Sequence, residues 1–327
     1  MLVTGAGGSI GSVLAERLAA AGTSDLVLLE SHEPSLFHLR NRIRAGYPEV
    51  PCRFALGDIR DERRLAGLFA AHRPQIVFHL AAYKQVPLGE ENVDQCVSTN
   101  VVGTLGLLRQ AAAAGVEAIV YPSTDKAVNP PSVYGATKRV VELAAAEWQR
   151  DGRRPAVRVV RLVNVFGTQG SVVEVLSRQL LAGQPMTITH PEMDRYWITM
   201  DEATLFIAQA ASADLARGIL LLDLGPAVRT EEIARRLAAQ LRPGEPVEIK
   251  YVGVRPGERL HEELAYPYEE VLASPYPGIL ELRDRDGDAR VGVMRHMPAL
   301  AEEVYTLGSA ELRRRVFDLA GAAGGRG

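Results

Sequence analysis

Two cysteines, Cys52 and Cys96, are all that the 327 residues contain. They are too few and too far apart for a disulfide framework or a thiolate metal site, and they read as small buried thiols in a reducing compartment. The histidines show no metal-ligand spacing, so no metal is expected. No stretch approaches the roughly 20 apolar residues of a membrane helix, and no basic segment followed by an apolar run opens the chain. The expectation is a cytoplasmic protein with no membrane partner. Charge excess is also missing: 37 basic against 40 acidic side chains leave a formal −3, which gives no field for gathering nucleic acid. What remains, 47% hydrophobic and 24% charged residues, is the composition of a soluble α/β protein long enough for a core domain and a smaller lobe.

The first half alternates short apolar runs with longer segments of helical spacing, the signature of βαβ units. Strands are expected at Leu2 to Thr4, Leu26 to Glu30, Arg53 to Leu56, Ile76 to Leu80, Ala118 to Pro122 and Val157 to Leu162. Helices are expected at Ser9 to Ala21, Pro34 to Ala45, Glu62 to Ala71, Val93 to Ala114 and Ser132 to Arg150. This predicts an α/β fold with a doubly wound parallel sheet of the Rossmann kind over residues 1–163. Beyond it the pattern loosens, with helices at Val172 to Ala182, Asp201 to Ala213 and Thr230 to Gln240, and residues 164–283 are expected to form a smaller C-terminal substrate-binding lobe that interleaves with the first. Residues 284–327 stay unassigned, and both RDRDGDAR and the Arg313, Arg314, Arg315 run read as solvated surface. Asp284, Asp286 and Asp288 imitate the start of a calcium loop, but Ala289 and Arg295 stand where its glycine and glutamate belong.

TGAGGSIG follows the first strand and opens the first helix. In that context Gly5 permits a tight turn, Gly8 lets backbone approach a pyrophosphate, and Gly11 lets helix pack on strand, with Ser9 and Ile10 on the helix end that faces the phosphates. Glu30 ends the second strand 19 positions beyond Gly11, where a carboxylate can bind an adenosine ribose diol. A carboxylate there would repel a 2′-phosphate, which favours NAD; His32, Arg40 and Arg42 offer a cationic route to NADP. Asp58 and Ile59, in GDIRD after the third strand, suit the adenine, and the small pair Ala81 and Ala82 suits close approach of the cofactor.

In STDKAVNPPSVYGATK, Tyr134 and Lys138 stand four apart on one helix face. A tyrosine is a poor base at neutral pH unless neighbouring cations stabilise its phenolate. That pair would serve any hydride-transferring oxidoreductase. Asp125 and Lys126, next to the Thr124 hydroxyl, are surplus to it.

TGAGGSIG with YGATK resembles the extended short-chain dehydrogenase/reductases, which act largely on nucleotide sugars. GDIRD, FHLAAYKQVP, TNVVGT, STDKAVNP, RLVNVFG, THPEMDRYWIT and GVRPGERLHEEL narrow the resemblance, from residue 1 to about 282, to the capsular-polysaccharide type of nucleotide-sugar 4,6-dehydratase, including inverting enzymes acting on UDP-N-acetylglucosamine. The resemblance accounts for the surplus. It implies that Tyr134 takes the 4-hydroxyl proton, that Lys126, kept neutral by burial and neighbouring cations, removes the C5 hydrogen, and that protonated Asp125 serves the departing 6-hydroxyl. Thr124 would bond the 4-oxygen, and Lys138 would hold the nicotinamide ribose and tune Tyr134. It also implies that Asn164, Arg195 and Arg255 meet the nucleotide diphosphate or uracil, Glu258 the ribose and Lys84 the sugar, and that the chain forms a homo-oligomer. Two features depart from many relatives: Gln85 stands where a histidine is common, and the chain has neither a long membrane-anchored N-terminal region nor a Met in place of Tyr134, which matches the short soluble branch. A 4-epimerase or reductase would need Tyr134 and Lys138 without the Asp125 and Lys126 pair, and a non-catalytic dinucleotide sensor would usually have lost Tyr134 and Lys138.

Overall fold

The computed structural model describes residues 1–212, 218–285 and 292–321. Asp286, Asp288 and Ala289, three of the five positions named for the imitation calcium loop, lie outside them. In the first half β1 (Leu2–Thr4), α1 (Ser9–Ala20), β2 (Leu26–Glu30), α2 (Glu33–Gly46), β3 (Cys52–Leu56), α3 (Glu62–His72) and β4 (Ile76–His79) alternate regularly. Two short helices, α4 (Val86–Glu91) and α5 (Val93–Val97), then run through a π-helical turn at Ser98–Gly103 into α6 (Thr104–Ala113). β5 (Ala118–Thr124), a 3-10 turn at Asp125–Ala127, α7 (Val133–Arg150) and β6 (Ala156–Leu162) complete the unit.

The second half holds β7 (Asn164–Val165), α8 (Val172–Leu181), β8 (Met186–Ile188), β9 (Asp194–Arg195), β10 (Trp197–Ile198) and α9 (Met200–Ser212). After these come β11 (Ile219–Leu222), β12 (Val228–Arg229), α10 (Thr230–Leu241), β13 (Ile249–Tyr251), β14 (Glu269–Ala273) and β15 (Ile279–Asp284), and the chain closes with α11 (Met297–Glu303) and α12 (Ser309–Leu319).

The main sheet runs β14-β15-β11-β6-β5-β4-β1-β2-β3, parallel from β3 to β11, with β15 and β14 antiparallel at one edge. The chain reverses its winding between β1 and β4, so a crevice opens beyond their carboxyl ends. Near-continuous burial along β1, β2, β4 and β5 explains why these strands read as largely apolar runs, polar only toward their carboxyl ends, rather than alternating. Strands from beyond residue 163 extend this same sheet, while the β8/β13 pair packs with α8 and α10 on a small separate core around Leu176, Met186 and Ile188.

The last helices also belong to the central core: Leu300, Leu312, Val316 and Phe317 are completely buried and share a cluster with Val133, Val140 and Val141 of α7. At about 1.5–3 kcal/mol for each such side chain, this packing ties α11 and α12 to the helix carrying Tyr134 and Lys138. Among the described residues no helix is long and apolar enough to cross a membrane.

Candidate active site

At the switch point the chain makes a cradle that only glycine fits. Gly5 has φ +64°, and a Cβ there would stand 2.6 Å from the amide nitrogen of Ala81; a Cβ on Gly11 would stand 2.1 Å from the Gly5 carbonyl oxygen. Gly8 caps α1 without any side-chain bond, so no side chain competes for the amide groups of the first turn, and they carry the positive end of the helix dipole. Ser9 sits at the cradle's rim, where its Oγ accepts the Gln169 amide at 3.0 Å, and Ile10 packs into the core below. The amides of that first turn, at the positive end of the helix, suit a dinucleotide's pyrophosphate.

Glu30 ends β2 beside the glycine turn. Its Oε2 accepts the Gly7 amide at 2.9 Å and its Oε1 the Ser31 and His32 amides at 2.8 and 2.9 Å, so the carboxylate fixes the turn as well as facing it. Asp58 is bound by Arg60 through three side-chain contacts of 2.6–3.1 Å and by its amide, which hold its carboxyl below the usual range. Ile59 is buried against Gly103 of the π-helical turn. Arg60, which also reaches Gln95 Oε1 at 2.8 Å, had no signal in the sequence beyond its place in GDIRD.

The loop carrying Ala81, Ala82 and Lys84 is held from beneath. Asn100 in the π-helical turn accepts the Tyr83 amide at 2.8 Å and donates to the Tyr83 carbonyl at 2.9 Å and Thr137 Oγ1 at 3.1 Å. Ala81 and Ala82 are partly buried, and the Lys84 residue is exposed. His79, fully buried, lies 2.7 Å from Thr4 Oγ1 and 2.9 Å from Thr104 Oγ1. The Thr104 hydroxyl gives its proton to the Asn100 carbonyl, so His79 must donate from Nε2 and accept at Nδ1. Burial, with Lys138 nearby, pushes its pKa down to about 3, and the ring stays neutral.

Tyr134 meets the turn at Asp125–Ala127 because Gly135 permits it: a Cβ at 135 would lie 2.1 Å from the Lys126 carbonyl oxygen. Ser132 caps α7 by accepting the Gly135 amide at 3.1 Å. Burial pushes the Tyr134 phenol up to about 12, opposed by Lys126 and by a hydrogen bond with Thr124. Lys138 is buried one helical turn on, donating to the Pro122 carbonyl at 2.8 Å and lying 4.4 Å from the centre of the Tyr121 ring. Burial lowers its pKa to about 8. The cation acting most strongly on Tyr134 is thus Lys126, whereas the sequence pattern pointed to Lys138.

Asp125 is completely buried. Its Oδ1 accepts the Thr124 hydroxyl at 2.9 Å and Lys126 Nζ at 3.0 Å, and its Oδ2 has no hydrogen-bond partner among the described residues. The expectation of a neutral Lys126 flanked by cations needs correction. Burial opposes its charge, but the carboxylates of Asp125 and of Glu262, at 3.4 Å, outweigh burial and the repulsion of Arg195, so its pKa lies above the ordinary lysine value. In the resting protein it is an ammonium.

The residues expected to meet the nucleotide are divided. Asn164 donates its side-chain amide to the Tyr196 carbonyl at 3.1 Å. Arg195 is buried and spends its fork on the carbonyls of Asp194, Leu260 and Arg259 at 2.6–3.0 Å, so it is a brace within its own lobe rather than an open phosphate fork. Arg255 and Glu258 form a turn closed by the Glu258 amide on the Arg255 carbonyl at 3.1 Å, and Gly257 within it packs on Ser132. Arg255 is exposed there, beside the start of α7. Sequence reasoning missed Glu262; its proximity to Lys126 depends on a separation of 136 positions that no local pattern reports. Among the described residues no cluster of three or more metal-ligating side chains occurs.

A glycine cradle at the switch point of a doubly wound sheet, flanked by a helix bearing Tyr134 and Lys138, is the arrangement of an extended short-chain dehydrogenase/reductase. Residues 1–284 match the family described as polysaccharide biosynthesis protein, and the chain belongs to it. It is 36% identical over 326 residues to the probable polysaccharide biosynthesis protein EpsC of Bacillus subtilis, covering 97% of this chain and 52% of that protein. The chain therefore spans about half the length of EpsC. To the UDP-N-acetylglucosamine 4,6-dehydratase (inverting) of Campylobacter jejuni it is 30% identical over 313 residues, 90% of this chain and 87% of the relative. Among solved structures, the DesIV double mutant (dTDP-glucose 4,6-dehydratase) from Streptomyces venezuelae, with NAD and DAU bound, superposes with a TM-score of 0.69 at 26% identity, over 81% of this chain and 87% of that one.

Proposed function

We propose that this chain is an NAD-dependent nucleotide-sugar 4,6-dehydratase, acting on UDP-N-acetylglucosamine and supplying a 4-keto-6-deoxy sugar nucleotide for polysaccharide synthesis. The single observation that carries this reading is the Lys126–Asp125 ion pair, 3.0 Å from nitrogen to oxygen, set beside Tyr134. An epimerase or reductase has no use for it. The names of the family and of the Campylobacter relative point the same way.

Gly5, Gly8, Gly11 and Glu30 would hold NAD, which when bound supplies a hydride acceptor for C4 and a donor for C6, so no net oxidation occurs. Tyr134, as the phenolate that Lys126, the Thr124 hydrogen bond and a bound nicotinamide ring would favour, accepts the proton of the sugar 4-hydroxyl, and the resulting 4-ketone acidifies the C5 hydrogen. Passing one proton from Lys126 Nζ to Asp125 Oδ1 converts the resting ion pair into an amine and a carboxylic acid. The amine removes the C5 proton, and the acid protonates the 6-oxygen as it leaves as water. Charge is unchanged by that internal transfer, so a buried site can make it without taking up an ion.

The test is incubation of the protein with NAD and UDP-N-acetylglucosamine, read by mass spectrometry. A product lighter by one water is expected; a product of unchanged mass would identify an epimerase instead. Lys126→Ala should slow water loss by about 10²–10⁴-fold, the ordinary contribution of a positioned acid or base.

A further inference from the structure

Glu262 comes from the second half of the chain and ends inside the catalytic turn. Its side chain is 4% exposed, and the same oxygen, Oε1, lies 3.4 Å from Lys126 Nζ and 3.7 Å from Arg195 Nε. The strap that carries it is fastened to the turn it serves. The Arg259 guanidinium donates to the carbonyls of Val128 and Asn129, and the Tyr266 hydroxyl donates to the Ala127 carbonyl at 2.9 Å. Arg195, braced on the carbonyls of residues 194, 259 and 260, fixes the other side of the carboxylate. A buried carboxylate held this way keeps its place when the proton on Lys126 moves.

We propose that Glu262 is a positioning residue that keeps the proton on Lys126 and thereby sets the pH range over which the Lys126 and Asp125 pair works. The charged and titratable groups facing Lys126 are Asp125 from its own turn, Glu262 from the strap, Arg195 from β9 and Tyr134 from α7. Asp125 is the strongest influence holding the proton on Lys126 against burial. A second carboxylate favours the ammonium, and Arg195, drawing on the same oxygen, limits that preference. The lobe that binds the nucleotide sugar under the reading above thus contributes to the electrostatics of the base.

The consequence for turnover rests on the dehydratase reading, whereas the titration of Lys126 does not. The experiment is therefore competitive labelling of the full-length protein, with NAD present, by trace acetic anhydride across a pH series, the Lys126 peptide being quantified by mass spectrometry. In Glu262→Gln the midpoint for Lys126 should fall by about one pH unit or more, the effect expected of losing an opposite charge at this range. Glu262→Asp, which keeps the charge at greater distance, should fall less. Under the dehydratase reading the alkaline limb of the turnover profile should shift down with the label. An unchanged midpoint in folded Glu262→Gln overturns the proposal; if that variant does not fold, a wild-type midpoint in Glu262→Asp overturns it. Shifted midpoints without dehydration of any nucleotide sugar would uphold the proposal and overturn the dehydratase reading.

Discussion

Arg161 Nη2 lies 2.9 Å from Glu142 Oε2, and neither side chain is exposed. The pair joins β6 to α7 directly behind the catalytic turn. Ser123, the residue before Thr124, donates to the same Glu142 at 2.6 Å, and Glu269 closes the other side of Arg161 at 2.9 Å. Removing one partner leaves buried charge unpaired, so Glu142→Gln should cost about 3–5 kcal/mol. Burial raises the Glu142 pKa, but Arg161 and Arg139 outweigh it and leave it below the usual range. For a lowered carboxyl pKa, the stabilisation is present above the unfolded pKa and lost as pH falls through the folded one. The denaturant midpoint of the variant should therefore lie below that of wild type at neutral pH, and the two should converge in acid.

Phe317→Ala should cost about 3–5 kcal/mol, as expected for a buried aromatic side chain. A loss confined to a few tenths, measured by urea unfolding, would mean that α12 is an appendage and not part of the core that supports α7.

Tyr134 in the cofactor-free protein should titrate near the value of about 12 set chiefly by burial. The wild-type minus Tyr134→Phe ultraviolet difference spectrum isolates it from the other tyrosines. Adding NAD⁺, whose nicotinamide ring is cationic, should move that midpoint downward, since a positive ring beside the phenol favours the phenolate. A cofactor-free midpoint at the ordinary tyrosine value would contradict the buried placement.

Gly135→Ala should damage turnover out of proportion to its size, because its Cβ would lie 2.1 Å from the Lys126 carbonyl and something must shift. A loss of about tenfold or more in kcat, with NAD binding retained, is the expected outcome. Unchanged kinetics would show that the approach of α7 to the catalytic turn is not needed.

The elements that sequence made legible are those whose burial follows a local period. β1, β2 and β5 are short buried runs, largely apolar, and the cradle glycines are legible by their spacing together with the strand before them and the helix after them. The expected helix from Val93 to Ala114 contains a π-helical turn, and from it Asn100 reaches the backbone of Tyr83, a contact between separate elements that no local period reports. Lys126 was identified as a chemical group but assigned the wrong resting charge, because the neighbouring cations were weighed and the carboxylates were not: Asp125 beside it favours the ammonium most, and Glu262 adds to that from the second half of the chain. Arg195 looked like a phosphate ligand by type and proved to be braced on main-chain carbonyls. Residue type is local information; the partner that satisfies a fork or a carboxylate is not.

The most direct test of the elimination chemistry is turnover of UDP-N-acetylglucosamine with NAD in deuterated water, with the product examined by proton NMR. Loss of the 6-hydroxyl together with solvent deuterium at C5 is the predicted result. A product that keeps its 6-hydroxyl and carries only protium at C5 would contradict the roles given to Asp125 and Lys126.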